Sequence, residues 1–132
     1  MHTLKGDDGP FMSVAFSADG KRLASTSGKY EQSEVKVWDV MSGQETLTLK
    51  GQPAGVLDVA FSANGKRLAS AGLDETVKVW DTTSGQETLT LKVRARKLMG
   101  VAFSADGKRL TSVSEDATVK VWTPQAVRRH SR

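Results

Sequence analysis

The stretch VKVWD decides the fold of this chain. It stands at residues 35–39 and 77–81, and VKVWT follows at 119–123. Each copy is rich in β-branched and aromatic residues, which is typical of a short β-strand. The three copies place the tryptophans 42 residues apart, at Trp38, Trp80 and Trp122. A constant spacing of this size indicates a chain built from structural repeats.

Two further motifs recur around this strand. FSADGKRLAS at 16–25 returns as FSANGKRLAS at 61–70 and FSADGKRLTS at 103–112, and SGQETLTLK is identical at 42–50 and 84–92. Each repeat therefore predicts four strands, joined by Asp-Gly, Asn-Gly and Ser-Gly turns that favour tight hairpins. A single sheet of four strands cannot cover both its faces, so we expect the repeats to stack on one another.

The composition excludes several classes of protein. The chain has 132 residues, of which 38% are hydrophobic and 26% charged, as expected for one globular domain. It has no cysteine, which excludes disulfides and thiolate metal sites. No apolar run is long enough to cross a bilayer, and the polar segment MHTLKGDDGP does not resemble a signal peptide. We therefore expect a soluble, cytoplasmic protein.

Catalytic chemistry finds few candidates in this sequence. The two histidines are His2 and His130, and no metal-binding histidine pair or glycine-rich phosphate loop is present. The paired carboxylates fall in loops, where such residues usually form turns. We expect a protein that is not an enzyme and that has no catalytic residue, metal or cofactor.

The dipeptides Trp38-Asp39 and Trp80-Asp81, together with the repeat length, resemble the WD-repeat family of β-propellers over about residues 2–123. Highly repetitive bacterial members are the most similar. The resemblance implies an all-β fold of three four-stranded antiparallel blades, at about 7–50, 51–92 and 93–123, followed by a basic tail at 124–132. It also implies structural roles for Trp38, Trp80, Trp122, Asp74 and Asp116. The family's Gly-His at the start of each repeat is missing, since Gly6-Asp7, Gly51-Gln52 and Val93-Arg94 stand there.

Three blades are too few for a propeller, which typically has four to eight. Residues 2–5 repeat the end of a fourth strand, and the chain stops after the third strand of its last repeat. We therefore expect residues 2–5 to pair with the third strand of a neighbouring chain, as a closing strand. Head-to-tail closure predicts six blades in a dimer or nine in a trimer. The alternative is a propeller fragment, or assembly unit, with no independent function.

In the family, the residues before the first strand of each blade lie on the face that most often binds partners. Aligned on the phenylalanines, these rim residues are Met12, Leu57 and Met99, with Pro10 and Lys97 two positions earlier and with Leu73 and Tyr30 nearby. An apolar rim with methionine suits an adaptable protein-binding surface. The alternative is that some of these side chains are partly buried under the loops. We expect a protein–protein interaction scaffold that binds a protein or peptide.

Basic residues form a second candidate surface. Lys21-Arg22, Lys66-Arg67 and Lys108-Arg109 all follow the first turn of a repeat, and the net charge is +4. A ring of these pairs would attract phosphate backbones of nucleic acid or other polyanions. The alternative is that the charges keep exposed strand ends soluble and block edge pairing. We expect weak, salt-sensitive nucleic-acid binding at most, and no membrane binding.

Overall fold

The computed structural model describes residues 13–27, 34–50, 55–93 and 98–122. Every regular element within these residues is a β-strand, and the strands form three antiparallel sheets. Sheet 1 contains β1 (Ser13–Phe16), β2 (Arg22–Ser27), β3 (Glu34–Asp39) and β4 (Glu45–Leu49). Sheet 2 contains β5 (Val56–Phe61), β6 (Arg67–Gly72), β7 (Thr76–Asp81) and β8 (Glu87–Lys92). Sheet 3 contains β9 (Leu98–Phe103), β10 (Leu110–Ser114) and β11 (Val119–Trp122).

Neighbouring strands in each sheet follow one another in the chain, so each sheet is a meander of hairpins. The predicted all-β fold of repeated antiparallel blades is therefore confirmed. The predicted closing strand, residues 2–5, and the basic tail lie outside the described residues, so closure of the ring stays a prediction.

The first hairpin turn of each sheet is built by a serine, an Asp or Asn, and a glycine. In sheet 1, Gly20 donates its backbone N–H to the Ser17 carbonyl at 2.9 Å, and Gly20 has φ +73°. The Asp19 carboxylate accepts hydrogen bonds from Ser17 Oγ at 2.7 Å and from the Lys21 N–H at 2.9 Å. Glycine adopts this left-handed backbone at little cost, which explains why the turn needs it.

The aspartate of the Trp-Asp dipeptide closes the turn between the third and fourth strands. Asp81 Oδ1 accepts hydrogen bonds from the N–H groups of Thr83 at 2.7 Å and Ser84 at 3.0 Å. The Asp81 carbonyl accepts another from Gly85, whose φ is +78°. Asp39 binds Met41 and Ser42 in the corresponding turn of sheet 1. The signature carboxylate therefore fixes a hairpin in both sheets.

The sheets pack face to face, with β1, β5 and β9 side by side as the inner strands. We call the face that carries the inner-strand phenylalanine the front face, and the opposite face the back face. Two apolar clusters follow from this arrangement. One joins the back of sheet 1 to the front of sheet 2, through Ala24, Val35, Val37, Val59, Leu68 and Trp80. The other joins the back of sheet 2 to the front of sheet 3, through Ala69, Val77, Val79, Leu98, Val101 and Leu110.

Candidate functional site

An arginine from each sheet reaches across to the next sheet. The Arg22 guanidinium lies over the Phe61 ring, with its carbon 5.4 Å from the ring centroid, and donates a hydrogen bond to the Gly65 carbonyl. Arg67 repeats this contact one sheet later. It lies 5.3 Å from the centroid of Phe103 and donates to the Gly107 carbonyl at 2.6 Å. We call this arrangement of arginine, phenylalanine ring and glycine carbonyl the arginine joint.

The arginine joint changes the interpretation of the basic ring. In the Lys-Arg pairs of sheets 1 and 2, the arginine contacts the next sheet, and the lysine, Lys21 or Lys66, is exposed. Neither interpretation drawn from the sequence included this role. Every repeat has a phenylalanine six residues before its arginine, but this spacing does not indicate that the arginine contacts the ring of the next sheet.

A single carboxylate links all three inner strands. Asp58 on β5 accepts a hydrogen bond from Ser13 Oγ at 2.8 Å on one side and from the Val101 N–H at 3.0 Å on the other. Ser13, Asp58 and Gly100 occupy the same register, three residues before the phenylalanine of their repeats. Asp58 was not among the residues predicted from the sequence, although it is a charged residue where the other two repeats have serine and glycine.

The tryptophans of sheets 1 and 2 are buried and hydrogen-bonded within their own sheets. Trp38 Nε1 donates to Ser25 Oγ, and Trp80 Nε1 to Ser70 Oγ, both at 2.9 Å. Trp80 also belongs to the apolar cluster between sheets 1 and 2, and Trp122 packs against the cluster between sheets 2 and 3. In sheet 3, within the described part of the chain, neither Trp122 Nε1 nor Ser112 Oγ has a hydrogen-bond partner.

Asp74 and Asp116 stabilise the hairpin between the second and third strands. Asp74 Oδ1 accepts hydrogen bonds from Thr76 Oγ1 at 2.6 Å and from the Thr76 N–H at 3.2 Å. Asp116 makes the same two contacts with Thr118. The residue that follows each aspartate has positive φ, 64° at Glu75 and 67° at Ala117. Positive φ is unfavourable for residues other than glycine. The hydrogen bonds of the two aspartates therefore stabilise a turn with a strained backbone.

Leu57 and Met99 are equivalent residues of two β-bulges. On β5, Val56 pairs with Gly72 and Asp58 with Ala71, which leaves Leu57 without a partner in the ladder. On β9, Leu98 pairs with Ser114 and Gly100 with Val113, which leaves Met99 in the same position. A β-bulge bends the strand and redirects a side chain. Leu57 is half-buried, whereas Met99 is 54% exposed.

Leu73 lies close to the start of β5, because its N–H donates to the Gly55 carbonyl at 2.9 Å. Leu73 is also half-buried. We call Leu57, Leu73 and Met99 the bulge rim. The other predicted rim residues, Met12, Pro10, Lys97 and Tyr30, lie outside the described residues. Val93, which stands where the family has glycine, is fully buried in the cluster between sheets 2 and 3.

Several charged side chains of the sheets are paired or held in turns. Burial acts to raise the pKa of Glu87, but hydrogen bonds from Lys78 and Thr90 and the Lys78 charge outweigh it and leave that pKa lowered. The pKa values of Asp19 and Asp106 are lowered, chiefly by hydrogen bonds from Ser17 and Ser104. Hydrogen bonds of this kind are structural, because each one closes a turn or a pair of strands.

Among the residues that the structure describes, no three histidine, cysteine or acidic side chains are grouped so that they could hold a metal ion. Nor does any helix in the described segments have the length and apolarity to span a membrane.

Comparison with protein families identifies three repeats in this chain. The family described as WD domain, G-beta repeat, matches residues 1–39, 43–81 and 85–123. A search of curated proteins found no match. The matched segments cover most of the chain, and each contains the sequence VKVW near its end. Three such matches, on a stack of antiparallel sheets, show that the chain belongs to the WD-repeat family.

Proposed function

We propose that this protein is a non-enzymatic interaction scaffold that binds a protein or peptide through the bulge rim. Repeats of this family generally mediate protein–protein interactions. The observation that carries the proposal is the exposure of Met99 at a β-bulge, directly after the buried Leu98. A large apolar side chain that is exposed at a fixed point of a sheet is suited to contact a partner.

Two features of the bulge rim support this proposal. Leu57 and Met99 occupy the same bulge in consecutive sheets, so they present apolar side chains at corresponding positions. The buried residues Val56 and Leu98 precede them and anchor the strand in the apolar clusters between sheets. The rim is thus held by a rigid framework, which reduces the entropy lost when a partner binds.

The polyanion alternative has less support. The side chains of Arg22 and Arg67 are engaged in arginine joints, which leaves the lysines as the exposed members of those pairs. Asp19 and Asp106 share their turns with Lys21 and Lys108, and hydrogen bonds from Ser17 and Ser104 lower their pKa values, which favours the charged carboxylate. These carboxylates offset the positive charge that a phosphate backbone would meet.

Peptides selected from a displayed random library on the full chain test the proposal. We expect the double variant Leu57→Ser/Met99→Ser to bind the selected peptides at least about tenfold more weakly, because apolar contact area is lost. Met41→Ser is the matched control, since Met41 is 81% exposed but lies in the turn between β3 and β4. Equal binding of the peptides to the wild type and a folded double variant, checked by circular dichroism, would contradict the proposal.

A further inference from the structure

Two faces of the stacked sheets have no neighbouring sheet among the described residues. On the front face of sheet 1, the inner strand is exposed, with Val14 at 60% and Phe16 at 63%, whereas Trp38 and Ser25 on the same face are buried. On the back face of sheet 3, Val119 is 62% exposed and Val121 is 56% exposed. Apolar side chains exposed in a group on a flat sheet indicate a surface that another sheet can cover.

The internal joints show what covers such faces. Val59 and Val101 occupy the register of Val14 in sheets 2 and 3, and both are buried against the back of the preceding sheet. Val77 and Val79 occupy the register of Val119 and Val121, and both are buried against the front of the next sheet. At both internal boundaries, a back face with these valines packs against a front face with the valine of the inner strand. The exposed residues of sheets 1 and 3 could therefore pack against each other in the same way.

Each of these two faces carries one partner of an arginine joint that is not formed within the described residues: the arginine on sheet 3 and the phenylalanine with its glycine carbonyl on sheet 1. Arg109 is the third arginine of the series, but its guanidinium contacts no ring or carbonyl in the described part of the chain. Phe16 is the one inner-strand phenylalanine of the described sheets with no arginine over its ring. A Cβ atom built on Gly20 would meet nothing within 4 Å, whereas one on Gly65 would meet Arg22 Nη2 at 2.6 Å.

We propose that a second copy of this chain covers these faces, with Arg109 of one copy over Phe16 and on the Gly20 carbonyl of the other. The inner part of the back of sheet 3 then packs on the exposed inner strand of sheet 1, in the register of the internal joints. Such an interface is head-to-tail, since it joins one face of the first copy to a different face of the second copy. Its specificity comes from the arginine joint, which matches the two internal joints residue by residue.

A depression on the back of sheet 3 fits this partner. It has a volume of about 260 Å³ and is lined by Asp58, Gly100, Val101, Ala102, Thr111 and Val113. In the corresponding part of sheet 2, Ala69 and Ala71 are buried in one apolar cluster with Val101 of sheet 3. By the same register, Val14 of the second copy is the side chain that enters the depression.

The proposed joint lacks the hydrogen bond to Asp58 that each internal joint has. Val101 donates its N–H to Asp58, but the residue in the register of Asp58 on sheet 3 is Gly100. At this register, Gly100 therefore has no side chain that could accept a hydrogen bond from the backbone of Val14 in the second copy. We infer an interface that dissociates more readily than the sheets within one chain, so association depends on protein concentration.

Analytical ultracentrifugation of the full chain over a range of micromolar concentrations tests this inference. We expect a discrete oligomer of the wild type, with the dissociation constant raised about 10- to 100-fold by Arg109→Ala or by Phe16→Ala, because stacking and a charge-assisted hydrogen bond are lost. Lys108→Ala is the matched control for charge and Met41→Ser for exposed apolar surface. Both controls should associate as the wild type does.

Mixing the two variants separates head-to-tail association from symmetric pairing of like faces. Arg109→Ala retains an intact Phe16 face, and Phe16→Ala retains an intact Arg109 face. We therefore expect an equimolar mixture to associate more tightly than either variant alone, through one intact joint. A wild type that stays monomeric, variants that associate as tightly as the wild type, or a mixture no tighter than its components would each overturn the inference.

Discussion

Asp58 and Val101 are joined across the boundary between sheets 2 and 3, where the Val101 N–H donates to Asp58 Oδ2 at 3.0 Å. Asp58 Oδ1 accepts a second bond from Ser13 on the other side. One side chain therefore takes part in both boundaries between sheets.

Replacing Asp58 by alanine should destabilise the fold through both boundaries. The Val101 N–H loses a charged acceptor, and such a hydrogen bond contributes about 1.5–3 kcal/mol. Ser13→Ala is the matched control, since it removes only the second bond and should cost about 1 kcal/mol. Urea unfolding followed by tryptophan fluorescence measures both changes. Equal destabilisation by the two variants would show that the bond to Val101 contributes nothing.

The arginine joint should stabilise the internal boundary far more than the neighbouring lysine does. Arg67→Ala removes the stacking on Phe103 and the hydrogen bond to Gly107, with an expected cost of about 2 kcal/mol in the free energy of unfolding. Lys66→Ala removes an exposed charge and should change stability by no more than about 0.5 kcal/mol. Arg67→Lys should fall between them, because lysine keeps the charge but lacks the planar guanidinium. Thermal unfolding of the three variants tests this order.

Two glycines with the same backbone provide a second test of the joint. Gly20 and Gly65 both have φ +73°, so alanine at either position should cost about 1–2 kcal/mol through strain. Gly65→Ala should cost more than Gly20→Ala, because its methyl group displaces the Arg22 guanidinium from Phe61. The comparison requires protein dilute enough to be monomeric. A larger cost for Gly20→Ala there would contradict this account.

Acid should destabilise the protein through Glu87. Its folded-state pKa is lowered from the ordinary value of 4.5. The stabilisation is therefore complete above the unfolded pKa and is lost as the pH falls through the folded pKa. Glu87→Gln should be less stable than the wild type at pH 7, and the difference should shrink as the pH falls below about 4.5. Melting temperatures between pH 7 and pH 3 measure the effect, and a difference that stays constant with pH would contradict it.

Binding to nucleic acid should be weak and independent of sequence. Lys21 and Lys108 lie in turns that also contain the carboxylates of Asp19 and Asp106, and two of the arginines are engaged between sheets. We expect any affinity for DNA or RNA to fall steeply as salt rises from about 50 to 200 mM. Fluorescence anisotropy with several unrelated sequences provides the measurement. Sequence-selective binding at physiological salt would contradict the prediction.

The sequence alone predicted the strands and their order because these depend on local signals. The VKVW strands, the Asp-Gly turns and the constant repeat length all appear in the structure where the repeats place them. Such signals lie within a few residues of one another in the chain. They could therefore be found without knowledge of how the sheets pack.

The contacts between sheets could not be predicted in the same way. Arg22 and Phe61 are distant in sequence, and only the stacking of sheets brings them together. The bulges at Leu57 and Met99 depend on the pairing register with the neighbouring strand. The alternation of apolar and polar residues in the sequence does not show this register. The sequence indicated the rim residues through the family resemblance and gave no means of ranking their exposure.

Near-identical sheets raise a problem of order during folding, since any one of them has faces that could pack on any other. Ser13, Asp58 and Gly100 break this equivalence, because a hydroxyl, a carboxylate and a bare backbone follow one another at a single register. If sheet 2 docked in any place but the middle, its carboxylate would lose a donor on one side. Although the three sheets are similar, the side chain of Asp58 thus distinguishes the native order of the sheets from a permuted order.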